Sequence, residues 1–146
     1  MNITEKEFVP VFLGSDINTY SMSRAFYEEY GVKSIVIGKY ATGPSCGSKI
    51  IDFRAVPELD GQETFLKTVG GLSAAYPDRK IILMGCGDNY VERIIKNKAN
   101  LGGNVIAPYV DEELMDSLLT KLKFYRMCDR YKIDYPGTFI YDRSMK

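Results

Sequence analysis

FVPVFLGSDINTYSMSRAFYEEYG, residues Phe8–Gly31, sets a pattern that the rest of the chain repeats. Its apolar start runs to Gly14 and predicts a short buried strand. Asp16 or Asn18 can then cap a helix, which Gly31 can end. The apolar residues on one face of this helix are Met22, Ala25, Phe26 and Tyr30. A buried strand that leads directly into an amphipathic helix is the first half of a βαβ unit.

Outward from this stretch, strand-like and helix-like segments continue to alternate. Further strands are predicted in KSIVIGKY, SKIIDFRAVP, RKIILMGCG and NVIAP, and further helices in GQETFLKTVGGLSAAYP, DNYVERIIKNKANLGG and DEELMDSLL. Strands that alternate with amphipathic helices pair in parallel and are joined by right-handed crossovers. The sequence therefore predicts an α/β fold, a three-layer Rossmann-like domain with a mostly parallel sheet of about five strands.

The composition limits the functions that the chain can carry. It has 146 residues, 45% hydrophobic and 26% charged, as expected of one domain with its own core. Lys and Arg together number 19, as do Asp and Glu, so no charge excess points to a nucleic acid or membrane partner. No stretch has the roughly 20 apolar residues of a membrane span. The lack of histidine excludes His-based triads and His metal sites.

The cysteines and the first residues predict a cytoplasmic location. Cys46, Cys86 and Cys128 are dispersed and form no Cys-x-x-Cys pair. Residues Met1–Phe8 are polar and do not resemble a signal peptide. An odd, scattered set of thiols without a signal is typical of a reducing compartment.

The first glycine-bearing turn is LGSDIN, which follows the first predicted strand. In an open parallel sheet, ligands bind outside the carboxyl ends of the strands. Gly14 allows close backbone approach, and the amides at the helix start can bind an anion. The turn has neither the G-x-G-x-x-G spacing of a dinucleotide fold nor a P-loop. Gly14, Ser15, Asp16 and Asn18 are candidate substrate-binding residues, and a plain capped turn is the alternative.

The second such turn is GCGDNYVER, Gly85 to Arg93. Cys86 is either a low-pKa thiol at a helix start or, as the pattern favours, a small buried residue. Asp88 is most simply an N-cap, although its side chain can also face a ligand. Gly85, Gly87 and Asp88 complete the candidate substrate-binding set at this turn.

Two further features flank these turns. Arg24, on the first helix, can clamp a substrate carboxylate, but a solvated or ion-paired arginine is the favoured interpretation. KYATGPSCGSK, Lys39 to Lys49, is either a lip over the site or a surface loop.

SLLTKLKFYRMCDRYKIDYPGTFIY, residues 117–141, begins as a helix led by Lys121 and continues into a β-rich run. This stretch follows the α/β segments along the chain. Together, in that order, they resemble the front end of an ATP-grasp ligase. The resemblance is narrower to the carboxylate–amine ligase branch that includes D-aspartate ligases, and it covers essentially the whole chain. KID, Lys132 to Asp134, stands where the family usually has Gly-Ile-Pro.

The resemblance implies a domain organisation and a role for one lysine. Residues 1–119 are expected to form a pre-ATP-grasp α/β domain. Residues 120–146 are expected to form a linker helix and the first strand, Thr138–Tyr141, of an ATP-grasp domain that continues beyond this chain. By the same resemblance, Lys121 contacts the phosphates of ATP, and Thr120 caps its helix.

The resemblance also implies the reaction and the partners. The full-length protein is expected to be an ATP- and Mg²⁺-dependent ligase that joins a small-molecule carboxylate to an amine through an acyl phosphate. The first domain would contribute part of the substrate wall but no catalytic acid or base, no metal ligand and no cofactor of its own. The remainder of the ligase chain is its partner, a homodimer is left open, and the fragment alone is expected to be inactive. The alternatives are a stand-alone α/β module for a nucleotide or metabolite and a structural or interaction domain.

Overall fold

The computed structural model describes residues 7–139 and 141. The chain divides into two compact units, Met1–Tyr109 and Val110–Lys146. The first unit contains the sheet, and the second contains two helices.

The first unit is built on five parallel strands. They are β1 (Phe8–Leu13), β2 (Ser34–Gly38), β3 (Ile51–Ala55), β4 (Lys80–Gly85) and β5 (Val105–Ile106). Their order in the sheet is β3-β2-β1-β4-β5, and every pair of neighbours is parallel. The predicted α/β fold with a five-stranded sheet is therefore confirmed.

Three helices connect these strands. They are α1 (Ile17–Tyr30), α2 (Gln62–Ala75) and α3 (Asp88–Lys96), followed by a 3-10 turn at Lys98–Asn100. Gly31 ends α1 in the left-handed conformation, with φ 69°, as its position in the sequence predicts. The predicted inward residues Phe65, Val69 and Leu72 of α2 are buried.

Alternate residues of β1 supply the cores on the two sides of the sheet. Val11 and Leu13 belong to the larger core, which includes Phe65 of α2 and Ile94 of α3. Phe12 belongs to the smaller core, against which the α1 residues Tyr20, Met22 and Phe26 pack. The sheet is thus a middle layer between α1 on one face and α2 and α3 on the other.

This layering creates a crevice at the carboxyl ends of β1 and β4. The two strands are neighbours, and Leu13 is in register with Gly85. β1 leads into α1 on one face, whereas β4 leads into α3 on the opposite face. Adjacent strands whose connections leave to opposite faces mark the switch point where open α/β sheets bind ligands. Gly14 and Gly85 therefore lie at the same sheet edge, as expected.

The second unit consists of α4 (Glu112–Leu118) and α5 (Lys121–Tyr131). Asp111 caps α4, and Thr120 caps α5 by accepting from the Lys123 amide at 3.3 Å. Lys132 is the C-cap of α5, and its backbone has the left-handed conformation, with φ 56°.

The predicted strand at Thr138–Tyr141 does not form at Thr138, Phe139 or Tyr141, and Ile140 lies outside the described residues. A strand requires a neighbour to bond its backbone, and the sheet pairings of the described residues include none for this segment. The division into domains after residue 119 stays a prediction. The compact units separate ten residues earlier, so that α4 belongs with α5.

Candidate functional site

Gly14 shapes the β1 side of the crevice. It is buried, has φ 135°, and a Cβ at this position would lie 2.7 Å from Thr19 Oγ1. Its N–H donates to the Ile37 carbonyl at 2.9 Å, and the Cys86 N–H donates to the Leu13 carbonyl at 2.8 Å. These bonds tie the turn after β1 to both neighbouring strands. Only glycine combines this φ with the close approach of α1.

Gly85 shapes the β4 side of the crevice. A Cβ at this position would lie 2.7 Å from the Val91 amide nitrogen and 2.8 Å from Tyr90 Cβ. The first turn of α3 therefore lies directly over the end of β4. Gly14 and Gly85 thus both permit a close approach within the fold, which the sequence predicted for Gly14 only, and contact of either glycine with a substrate stays a prediction.

Asp16 occupies the start of α1 with its own carboxylate. Oδ1 accepts from the amides of Asn18 at 3.1 Å and Thr19 at 3.2 Å, and also from Thr19 Oγ1. Oδ2 accepts from Asn18 Nδ2 at 3.1 Å. The expectation that the start of α1 offers free amides to an anion is wrong for Asn18 and Thr19, because a side chain of the same turn already binds them.

The start of α3 differs, because no side chain caps it. Gly87 is the N-cap, with extended backbone, and Asp88 is the first helical residue. The prediction of Asp88 as N-cap is therefore wrong by one position. Its exposed side chain sits in the first turn, where an acidic residue complements the helix dipole.

Cys86 lies between the two turns and behaves as a packing residue. It is half-buried, and its Sγ lies 3.6 Å from Met22 Sδ. Burial raises the pKa of the Cys86 thiol, and the nearby Asp16 carboxylate raises it further, against a hydrogen bond to Thr19. A raised pKa reduces the thiolate fraction, which favours the small buried residue over the reactive thiol.

Tyr109 closes the β4 end of the crevice and was missed by sequence reasoning. Its hydroxyl accepts from the Gly85 N–H at 2.8 Å, and burial raises its pKa. The Tyr109 carbonyl accepts from Lys98 Nζ. The two residues joined at the strand end are 24 positions apart in sequence, and no local pattern signals such a contact.

A charged pair and a tyrosine lie beside these turns, and sequence reasoning also missed their association. Lys39 Nζ and Asp60 Oδ2 form an ion pair at 2.6 Å. Burial raises the pKa of Tyr90, the Asp60 and Asp16 charges raise it further, and the positive charges of Lys39 and Arg93 oppose this. The crevice is thus flanked by ionised groups of both signs.

The loop between β2 and β3 rests on the turn after β1. Gly43 has φ 78°, and a Cβ there would overlap the Ser15 carbonyl oxygen. Ser15 Cβ also lies 3.0 Å from the position that a Gly38 Cβ would take. The loop therefore packs beside Ser15, and its interpretation as a lip over a ligand stays a prediction.

Arg24 is not part of this group of turns. It lies two helical turns into α1, is exposed, and forms an ion pair with Glu28 at 2.6 Å. This arrangement is the favoured alternative of the sequence analysis, an ion-paired helix residue.

Lys121 belongs to the second unit, where it is the first residue of α5. Its side chain is exposed. The neighbouring Lys123 instead donates from Nζ to the Asp116 carbonyl at 2.8 Å. Its role as a phosphate contact stays a prediction.

Comparison with known proteins gives one informative match. The chain is 36% identical, over 147 aligned residues and 99% of its own length, to D-aspartate ligase of Enterococcus faecium (strain Aus0004). The chain spans 35% of the length of this relative. No family model matches, and neither does a solved structure. The resemblance to the D-aspartate ligase branch is confirmed, and the coverage is consistent with the N-terminal domain of such a ligase. None of the helices in the described residues could span a membrane.

Proposed function

We propose that this chain is the N-terminal, substrate-side domain of an ATP-grasp ligase that joins a carboxylate, such as that of D-aspartate, to an amine. The observation that carries the proposal is the 36% identity along 99% of the chain to a D-aspartate ligase. The crevice at the switch point supports it independently, because this is where an open α/β sheet offers a ligand site.

The crevice offers complementary groups for an amino acid. The Asp16 carboxylate is exposed and can accept from a substrate ammonium group. The first turn of α3, uncapped by any side chain, offers backbone amides near Gly87 and Asp88 to a substrate carboxylate. Asp16 and Cys86 are close enough for the Asp16 charge to raise the thiol pKa, so the two turns lie together. We assign substrate binding to these turns, including Gly14, Ser15, Asn18 and Gly85.

The proposed reaction proceeds through an acyl phosphate. A substrate carboxylate oxygen attacks the γ-phosphorus of ATP and ADP leaves; the amine then attacks the acyl carbon and phosphate leaves. Lys121 would stabilise phosphate charge as an electrostatic contact. Among the described residues, no three Cys, Asp or Glu side chains cluster so that they could hold a metal ion. We propose that the remainder of the ligase holds Mg²⁺.

The test is hydroxylamine trapping with the full-length protein. Hydroxylamine replaces the amine and captures an acyl phosphate as a hydroxamate. We expect hydroxamate and ADP to form together from ATP and D-aspartate, with much less product from L-aspartate. ADP release that does not depend on any added amino acid, with no hydroxamate, would contradict the proposal.

A calorimetric titration separates the ligase domain from a stand-alone nucleotide module. We expect the 146-residue chain to show no tight, stoichiometric binding of ATP with Mg²⁺, because it spans only 35% of the length of the D-aspartate ligase that it matches. Stoichiometric ATP binding to this chain would instead support the stand-alone α/β module.

A further inference from the structure

A polar cavity of about 220 Å³ lies between the start of α2 and one side of α3. Its walls are Gln62, Asn89, Glu92, Arg93, Lys96 and Asn97. All six side chains are polar or charged, and basic residues outnumber acidic ones by one. Drug-sized ligands occupy pockets of about 300–1,000 Å³, and a water takes about 30 Å³. The cavity is therefore too small for a nucleotide but large enough for a small ion with some of its water.

Arg93 is the residue that makes this cavity unusual. It is half-buried, and its Nε is buried without a hydrogen-bond partner among residues 7–139 and 141. Arg79 also has a buried Nε without a partner, but its guanidinium donates to the Phe8 carbonyl at 2.7 Å and stacks on Tyr76. Within the described residues, no such contact engages the Arg93 guanidinium. A buried N–H without an acceptor is costly, because it has lost water and gained no partner in exchange.

The other charged and amide groups of the cavity are already engaged with one another. Glu92 Oε1 accepts from Lys96 Nζ at 2.5 Å, so the acidic residue is neutralised on the helix surface. The side-chain amides of Gln62 and Asn97 pair with each other, and Asn97 Nδ2 also donates to the Arg93 carbonyl at 2.8 Å. Asn97 is only 2% exposed, so this pair fixes the wall of the cavity.

The helix geometry adds to the positive potential of the cavity. Gln62 is the first residue of α2, and no side chain caps this helix. An uncapped helix start carries partial positive charge. Asp60 is paired with Lys39, whereas Glu63, in the first turn of α2, offsets part of this charge.

We propose that this cavity is a binding site for a small oxyanion, a phosphate or carboxylate group, held by the guanidinium of Arg93. Guanidinium forks match both groups through two parallel N–H···O bonds. The Asn89 side chain, one helical turn before Arg93 on α3, can contribute a further donor. The cavity lining shares no residue with the substrate-binding turns assigned to the crevice, and the site does not depend on the proposed ligase function.

The test is a titration of the ¹⁵N-labelled 146-residue chain, followed by NMR, in a buffer free of oxyanions. The Nε–H signal of Arg93 is assigned from its loss in Arg93→Lys. Inorganic phosphate is the first probe and D-aspartate the second, so that the two arms distinguish phosphate from carboxylate. Sodium chloride at matched ionic strength is the control for simple screening. We expect a saturable shift of the Arg93 Nε–H signal with at least one of the two probes and none with chloride.

Variants of the chain test whether the oxyanion binds at Arg93. Arg93→Gln should weaken binding by about 10- to 100-fold, the effect of losing a charge-assisted hydrogen bond. Arg130→Gln, the matched control, removes the same charge from an exposed position in the second unit and should bind as the wild type does. If Arg93→Gln does not fold, Arg93→Lys and Asn89→Ala take its place and should each bind measurably more weakly. An unsaturable shift, an equal shift with chloride, or unchanged affinity in these variants would overturn the proposal.

Discussion

Replacing Gly85 with alanine tests the closeness of α3 to the end of β4. The new methyl group would lie 2.7 Å from the Val91 nitrogen, 2.8 Å from Tyr90 Cβ and 2.9 Å from the Tyr90 carbonyl carbon. Two of these three are backbone atoms, so α3 itself must move. Such overpacking costs about 1–3 kcal/mol, and the three short contacts place this case in the upper half of that range. The loss of chain freedom in the unfolded state returns about 0.4–1 kcal/mol. We therefore expect the free energy of unfolding to fall by about 1–2.5 kcal/mol.

The control is a second glycine that lacks this crowding. Gly70 lies inside α2, and a Cβ there would meet nothing within 4 Å. Gly70→Ala should raise the free energy of unfolding by about 0.5–1 kcal/mol, because alanine is the better helix former. Both variants are measured by urea unfolding followed by circular dichroism, with the wild type alongside. If Gly85→Ala is as stable as Gly70→Ala, the packing argument for the crevice is refuted.

Four further changes test other features. Asp16→Ala should cost about 1 kcal/mol in urea unfolding, because it removes the α1 cap, whereas Asp16→Asn should retain most of the stability; equal losses would contradict the cap. Tyr109→Phe should cost about 1–3 kcal/mol by leaving a strand-end N–H unpaired. Because burial raises the pKa of Tyr109, the folded state holds this proton more tightly. Its contribution to stability should persist below about pH 10 and decline above it, and the decline should be smaller in Tyr109→Phe, in which Tyr90, whose pKa burial also raises, still titrates. A disulfide reagent at pH 7.5 should modify exposed Cys46 first and Cys86 slowly, with the slow rate increasing with pH; a fast phase that survives in Cys46→Ser would count against this. In the full-length protein, Lys121→Ala should lower kcat/KM for ATP by an amount equivalent to about 1.5–3 kcal/mol, and an unchanged value would remove Lys121 from the nucleotide site.

Strands β1, β2 and β4 were predictable because they are short, mainly apolar runs that end at or just before a glycine. The buried face of α1 was less predictable, because the residues closest to the sheet are not its most apolar ones. Thr19 and Ser23 are fully buried, whereas Ala25 and Tyr30 are exposed. Ser23 Oγ donates to the Thr19 carbonyl at 2.9 Å, so a hydroxyl can be buried with its hydrogen bond made within the helix. Patterns of hydrophobicity do not detect small polar residues used in this way.

The candidate site was predictable only in outline, for a similar reason. The position of the two glycine turns follows from the strand–helix alternation, since parallel strands bring their carboxyl ends to one edge. The contacts of Asp16 with its own helix compete with ligand binding, and sequence alone does not show which one prevails. Tyr109 and the pair of Lys39 with Asp60 reach the crevice through the tertiary fold.

The position of β1 at the centre of the sheet has a consequence for the order of events during synthesis. β1 pairs with β2 on one side, but on the other side Phe8 pairs with Lys80, 72 positions later. At roughly 5–20 residues per second, about 4–14 s separate the synthesis of these two residues. During that interval a strand whose residues are all buried in the folded protein has one edge unpaired on the ribosome. We expect the nascent chain to fold only once β4 has emerged, and to need protection from aggregation until then.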